Sequence, residues 1–130
     1  MQRIFQPGFR LSKFDILILV SGTIASLVMM KDAWQLGTAV AFVVLHFFLF
    51  CNVFRIPRRP ELIWAAGFVT LVTLSTGSLI PWTVTFILSL LLSCVLIALE
   101  ARSPNYHGIF WATLNPNLKE HFEKQQPGNQ

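Results

Sequence analysis

His46 is the residue of this chain whose position most suggests chemistry, because it lies within a long uncharged apolar run, Leu36 to Phe54. An ionisable side chain at the middle of a bilayer is costly, so it is a functional hypothesis by default. A neutral imidazole there can relay a proton, bind a polar substrate or gate a pore. Alternatively, it donates one hydrogen bond to a neighbouring helix, a contact of about 1 kcal/mol. Counting along the other apolar runs places three hydroxyls at the same depth: Thr23, Thr70 and Ser89.

A second group of polar and charged residues follows the same run. Asn52 and Arg55 share a helix face, and the end of the last apolar run returns to this depth. Arginine forks match phosphate and carboxylate groups, so the group predicts an anion or lipid head-group site, with Glu100 or His107 as the base if it is catalytic. Alternatively, the arginines only orient the chain in the membrane, and Glu100 pairs with one of them. The members are Asn52, Arg55, Arg58, Arg59, Glu61, Glu100, Arg102 and His107.

The sequence predicts no metal site and no cofactor. His107 and His121 lie in the C-terminal tail, far in depth from His46. Cys51 and Cys94 lack C-x-x-C spacing, and both are expected to be buried free thiols. The chain also carries no phosphate-binding glycine loop, H-E-x-x-H motif or nucleophile elbow. Catalytic residues are therefore left unassigned.

The elements that must position these residues are long uncharged stretches. Of 130 residues, 54% are apolar and 12% are charged, whereas a soluble domain has about 25% charged residues. After Glu61 the chain runs for 38 residues without a charge. One helix of that length would far exceed the hydrocarbon thickness of about 30 Å, so it must turn back at the "STGSLIPW" segment. We predict an all-α membrane protein with four antiparallel transmembrane helices, at 14–30, 36–54, 62–78 and 82–99.

The distribution of lysine and arginine predicts the orientation of these spans. Three basic residues lie in the N-terminal arm, three in the "RIPRR" loop and three in the tail, whereas Lys31 alone lies on the opposite side. Basic residues favour the cytoplasmic side, so both termini are expected to be cytoplasmic, in a plasma or inner membrane. Trp34 and Trp82 are then expected at the outer interface and Trp64 at the inner one, as in an aromatic belt.

Three segments follow from this arrangement: a cytoplasmic arm at 1–13, the bundle at 14–99 and an interfacial tail at 100–130 with a short amphipathic helix. Ser12-x-x-Asp15 predicts a capping box at the start of the first span. A basic start followed by an apolar run also fits a signal peptide. The length of the run and the spans that follow favour an anchored helix.

Three classes of function fit the sequence. The first is a small non-enzymatic polytopic membrane protein that acts as an oligomer or as a subunit of a larger complex. The second is a small transporter or channel using His46, and the third is an interfacial lipid-phosphate-binding protein or enzyme. Membrane lipids and a homo-oligomer or hetero-complex are the expected partners; nucleic acid is not, because the basic residues abut the spans. Small residues four apart favour close helix packing; these pairs are Gly22 and Ser26, Gly37 and Ala41, Thr73 and Gly77, and Ser89 and Ser93.

Overall fold

The computed structural model describes residues 6–124, so part of the predicted arm, including Arg3, and the end of the predicted tail lie outside the described residues. The described part is all-helical and contains no strand. Its helices are α1 Lys13–Asp32, α2 Trp34–Phe48, α3 Arg58–Thr76, α4 Trp82–Ala101, α5 Trp111–Leu114 and α6 Leu118–Lys124. A π-helical turn, Leu49–Val53, continues α2 directly.

Three helical stretches are long and apolar enough to cross a membrane. They are α1, α2 with its π-helical turn, and α4, each of 20 residues. The chain is thus a helical protein of the integral-membrane type. α3 does not meet the same criteria, because its first turn contains Arg58, Arg59 and Glu61. A fourth span therefore stays a prediction.

α3 begins four residues earlier than the sequence predicted. The helix starts at Arg58 rather than at Leu62, with Pro57 as its N-cap. Pro60 does not prevent this, because the amide groups of a first helical turn have no partner within the helix and a missing N–H there costs little. α3 also ends earlier, at Thr76, with Gly77 as the C-cap.

α1 begins at the predicted capping box. Ser12 N donates to Asp15 Oδ2 at 2.7 Å, and Asp15 N donates to Ser12 Oγ at 3.2 Å. These two bonds satisfy amide groups that would otherwise be left without partners at the helix start. At the other end, Ala33 alone separates α1 from α2, so the two helices form a tight hairpin.

The α1–α2 hairpin is closely packed through small residues. A Cβ atom on Gly37 would lie 2.6 Å from the backbone nitrogen of Met30, and a Cβ atom on Gly22 would collide with Val44. Ser26 Oγ donates to Gly37 O at 2.7 Å. Two of the predicted small-residue pairs therefore lie at this contact, where they let the backbones approach.

α3 and α4 form a second hairpin, closed by the turn that follows Gly77. Ser75 Oγ and Thr85 Oγ1 lie 2.5 Å apart near this turn, and both residues are buried. Aromatic side chains fill the space between the two hairpins: Phe42 of α2 stacks against Phe68 of α3 with ring centroids 5.7 Å apart. The two hairpins thus meet through large side chains.

Both cysteines are free, but they are not both buried as predicted. Cys51 is partly buried, whereas Cys94 is exposed on α4. An apolar thiol can face hydrocarbon without cost, which is why exposure at this position is compatible with a membrane helix.

The first part of the tail docks on the bundle. Ile109 N donates to Val53 O at 2.8 Å, at the end of the π-helical turn, and Gly8 N donates to His107 O at 2.8 Å. Tyr106, which is 2% exposed, donates its hydroxyl to Ile109 O at 2.8 Å. The segment that follows α4 therefore covers the end of α2 and holds the N-terminal arm beside it.

Candidate functional site

The polar centre of the bundle is formed by His46 of α2 and Ser93 of α4. His46 is 6% exposed, and its Nδ1 lies 3.1 Å from Ser93 Oγ. Ser93 Oγ also lies 2.9 Å from Ser89 O. We assign its proton to that carbonyl, in which case Ser93 Oγ accepts from His46 Nδ1–H and the lone pair of the neutral imidazole is on Nε2. Within residues 6–124, neither that Nε2 nor Ser89 Oγ has a hydrogen-bond partner.

Two aromatic rings enclose the imidazole. Trp64 stacks on His46 with ring centroids 3.4 Å apart and planes 9° apart, and Phe50 lies on His46 with centroids 3.7 Å apart. Trp64 was predicted to lie in an aromatic belt, but it is 4% exposed and belongs to the core. Its burial is tolerated because Trp64 Nε1 donates to Ser89 O at 3.2 Å.

The predicted hydroxyls at this depth divide into two groups. Ser89 lies at the His46 centre through its carbonyl, as described above. Thr23 Oγ1 donates to Leu19 O at 2.7 Å and Thr70 Oγ1 donates to Ala66 O at 2.8 Å, and both side chains are exposed. The structure therefore does not bring Thr23 and Thr70 to His46.

Sequence reasoning missed Ser93 as the partner of His46. α2 and α4 are both second helices of their hairpins, and His46 and Ser93 lie almost the same number of residues after Trp34 and Trp82. Counting residues from these two helix starts leads to within one residue of Ser93, which lies one turn beyond Ser89. The i, i+4 pair of serines was the available signal.

The His46 centre can do two things chemically. Its hydrogen bonds connect three helices, since His46 bonds to Ser93 and Trp64 bonds to the backbone of α4. Its Nε2 lone pair can accept one hydrogen bond or one proton. Among residues 6–124, no group of three or more His, Cys, Asp and Glu residues could hold a metal ion.

An open pocket of about 250 Å³ lies where α1 begins and the π-helical turn ends. We call it the arginine pocket; its lining residues are Arg10, Ser12, Asp15, Cys51, Asn52 and Arg55. The predicted pair Asn52 and Arg55 is present in it, joined by Arg10, which the sequence did not single out. Arg10 lies in the arm, two residues after Gly8, whose φ of 98° bends the chain. The Pro7-Gly8 pair is a turn signal in the sequence, but it does not show that Arg10 approaches Asn52.

Asn52 holds the N-terminal arm to the π-helical turn. Its side chain is 2% exposed, and one of its terminal amide atoms lies 2.6 Å from Arg10 O and 2.9 Å from Asp15 Oδ2. Both of these oxygens are acceptors, so we assign the atom that faces them as the amide nitrogen, which donates to both. Arg10 N donates in turn to Asn52 O at 3.2 Å. Buried amides of this kind are costly without partners, so these bonds fix the position of the arm.

Arg55 has a left-handed backbone conformation, with φ of 49°. This conformation costs a non-glycine residue roughly 1 kcal/mol or more. It turns the guanidinium back towards the arm, where it donates to Gln6 O. Burial, together with the charge of Arg10, holds the pKa of Arg55 below its ordinary value.

The other residues of the predicted anion or lipid head-group site do not line the arginine pocket. Arg58 and Arg59 are exposed on the first turn of α3, and Glu61 Oε1 accepts a weak bond from Cys51 Sγ at 3.8 Å. Glu100 and Arg102 lie at the end of α4, where burial and the charge of Glu100 raise the pKa of Tyr106. His107 Nδ1 lies 2.9 Å from Asn105 O.

Comparison of the chain with protein-family models, with curated proteins and with solved structures finds no match. The functional inferences for this chain therefore come from its own residues and contacts.

Proposed function

We propose that this chain is a non-enzymatic integral membrane protein that acts as an oligomer or as a subunit of a larger membrane complex. The observation that carries the proposal is the one-sided packing of α1. Only 6% of the 18-residue apolar stretch of α1 is buried within the protein. The corresponding share is 28% for α2 with its π-helical turn and 22% for α4. α1 packs on α2 and leaves the rest of its surface open.

The open side of the α1–α2 hairpin contains an apolar groove of about 440 Å³. Its lining residues are Leu19, Thr23, Ser26, Leu27, Met30, Ala41, Val44, Leu45 and Phe48. Apolar burial gives little drive for association in lipid, where close packing of helices on small side chains contributes most. A groove with Thr23, Ser26 and Ala41 in its wall supports docking of a helix from a second chain.

The position of α3 supports four spans as part of this proposal. α3 is joined to α4 by a short turn and lies against α2 through Trp64 and Phe68, so it packs beside two apolar helices. Arg58 and Arg59 at its start can extend to the membrane surface. The placement of lysines and arginines supports cytoplasmic termini in a plasma or inner membrane.

Cysteine labelling tests this topology in a background lacking Cys51 and Cys94. A membrane-impermeant maleimide is expected to label Lys31→Cys in intact cells or oriented vesicles, but to label Lys119→Cys only after permeabilisation. Labelling of both positions from the same side would contradict four spans with this orientation.

Disulfide crosslinking in native membranes tests the docking of a second chain. In the same cysteine-free background, Leu45→Cys lies in the groove and Leu91→Cys lies on α4; the native leucines are 57% and 56% exposed. Both positions are about equally far along their helices, so Leu91→Cys is a matched control. We expect crosslinks at Leu45→Cys and few at Leu91→Cys. The mass of the product then distinguishes a homodimer from a complex with another protein.

Two results would contradict the proposal. One is equal crosslinking at both positions, which random collision in the bilayer would produce. The other is the absence of crosslinks at Leu45→Cys together with a single-chain mass in mild detergent and in nanodiscs.

A transporter or channel is the second candidate. Among residues 6–124, the buried Nε2 of His46 and the buried hydroxyl of Ser89 both lack a hydrogen-bond partner, which favours this function. This function requires a proton or a polar solute to reach Nε2. Proteoliposomes that contain an internal pH dye test it: the wild type should dissipate a pH gradient, and His46→Gln should not. Gradient decay equal to that of empty liposomes in the wild type would exclude proton transport.

A further inference from the structure

We propose that the arginine pocket binds the phosphate group of an anionic lipid, with Arg10 and Arg55 as the two residues that contact it. Arginine guanidinium groups bind phosphate oxygens in a bidentate manner. The pocket has about 250 Å³ of space and opens outward. The phosphate group of a lipid can therefore enter it while the acyl chains of that lipid remain outside. Single-chain binding of this kind does not depend on the oligomeric state proposed above.

The backbones of both arginines are fixed in place. Arg10 N and Arg10 O both bond to Asn52, at 3.2 Å and 2.6 Å. Arg55 is held in a left-handed conformation, and its guanidinium donates to Gln6 O. Since Asn52 belongs to the π-helical turn and Arg55 follows it, one short stretch of chain positions the backbones of both arginines. A guanidinium that is held in place, as that of Arg55 is, loses less conformational entropy on binding an anion.

The charge balance of the pocket also favours an anion. It contains two arginines and one carboxylate, Asp15. The Oδ2 atom of Asp15 already accepts from Ser12 N and from the Asn52 amide nitrogen. Arg10 and Arg55 are close enough for the charge of one to lower the pKa of the other. An anion between two like charges relieves their repulsion.

The position of the pocket identifies the source of the phosphate. The pocket lies where α1 begins and where α2 with its π-helical turn ends, and both are apolar enough to span a membrane. The ends of spans lie at the level of lipid head groups, where basic clusters bind anionic lipids. A lipid phosphate is therefore the ligand we propose, and a soluble phosphate shares the same chemistry.

Native mass spectrometry of the full chain in mild detergent tests the proposal. Phosphatidylglycerol is titrated into the wild type, Arg10→Gln and Arg55→Gln, with Lys31→Gln as the control. Lys31 is at the other end of α1, so this control has the same change in charge away from the pocket. We expect each arginine variant to bind the lipid about tenfold more weakly, equivalent to about 1.4 kcal/mol. Lys31→Gln should bind like the wild type.

Parallel titrations identify the source of the phosphate. Binding of phosphatidylglycerol in preference to phosphatidylcholine, without competition by millimolar inorganic phosphate, supports the anionic lipid. Competition by inorganic phosphate, or binding of inorganic phosphate alone, overturns the lipid assignment in favour of a soluble phosphate.

Equal lipid binding by the wild type, the arginine variants and Lys31→Gln overturns the site itself. Arg10 is exposed, so Arg10→Gln keeps the test valid if Arg55→Gln fails to fold.

Discussion

Replacing Gly108 with alanine is expected to loosen the docked tail. A Cβ atom at this position would lie 2.7 Å from the Phe54 carbonyl carbon and 2.7 Å from the Tyr106 hydroxyl, whereas ordinary contact begins at 3.4 Å. The Phe54 carbonyl oxygen would lie closer still, so the loop must move by at least about 0.7 Å, the difference between the two values above. A movement of this size along the bond from Ile109 N to Val53 O, now 2.8 Å long, would lengthen that bond to about 3.5 Å or more, where a hydrogen bond is nearly lost.

The energetic cost follows from these two effects. Inserting one carbon into a packed contact costs about 1–3 kcal/mol, and a lost hydrogen bond costs about 0.5–1.5 kcal/mol. Relaxation of the loop removes part of the first cost, so we expect docking of the tail to weaken by about 2 kcal/mol. That value corresponds to about a 30-fold larger fraction of undocked tail.

Amide hydrogen exchange of the detergent-solubilised protein measures this fraction. The amide of Ile109 should exchange about 30-fold faster in Gly108→Ala, because exchange requires the tail to open. Gly77→Ala is the matched control: the nearest atoms to its added Cβ lie at 3.5 Å, in ordinary contact, so its tail should exchange as in the wild type. Unchanged exchange of Ile109 in Gly108→Ala would refute this account of tail docking.

Three further predictions follow from the same contacts. The pKa of Tyr106, the single tyrosine of the chain, should lie above its ordinary 10.0, and a pH titration of phenolate absorbance would measure it. Because folding raises this pKa, tail docking should be fully stable below pH 10.0 and weaken as the pH rises through the folded value; a midpoint at or below 10.0 would contradict this. Ser93→Ala leaves the Nδ1–H group of His46 without an acceptor, so the free energy of unfolding should fall by about 1–3 kcal/mol in thermal unfolding. The control is Thr76→Ala, which removes an exposed hydrogen bond within one helix and should change the free energy of unfolding by less than about 0.5 kcal/mol. Trp64→Phe removes a buried indole donor and should cost about 1 kcal/mol in the same assay; a gain in stability would show that this bond is unimportant.

The start of α1 could be predicted from the sequence because its signal is local. Ser12 and Asp15 form the predicted capping box, and the charge-free runs mark three helices that the structure also has. The start of α3 was placed too late, at Leu62, because the helix was taken to begin with the charge-free run. Its first turn includes Arg58, Arg59 and Pro60, and a first helical turn tolerates proline. Local signals thus give the helices well and their ends less well.

The composition of the polar sites could be predicted only in part. Depth counting selected His46 and Ser89, which both contact Ser93 or Trp64 in the structure, but it cannot tell which face of a helix points inward. Thr23 and Thr70 share the depth and point outward. Arg10 reaches the arginine pocket through the fold of the arm, and sequence distance gives no sign of this contact.

The single residue between α1 and α2 has a consequence for how the protein is made. With Ala33 as the whole connection, we expect α1 and α2 to enter the bilayer as one hairpin, neither far ahead of the other. The hydroxyl of Ser26 can then reach the carbonyl of Gly37 as both leave water. Lengthening this connection would separate the two insertion events and expose each helix to mispairing in the nascent chain.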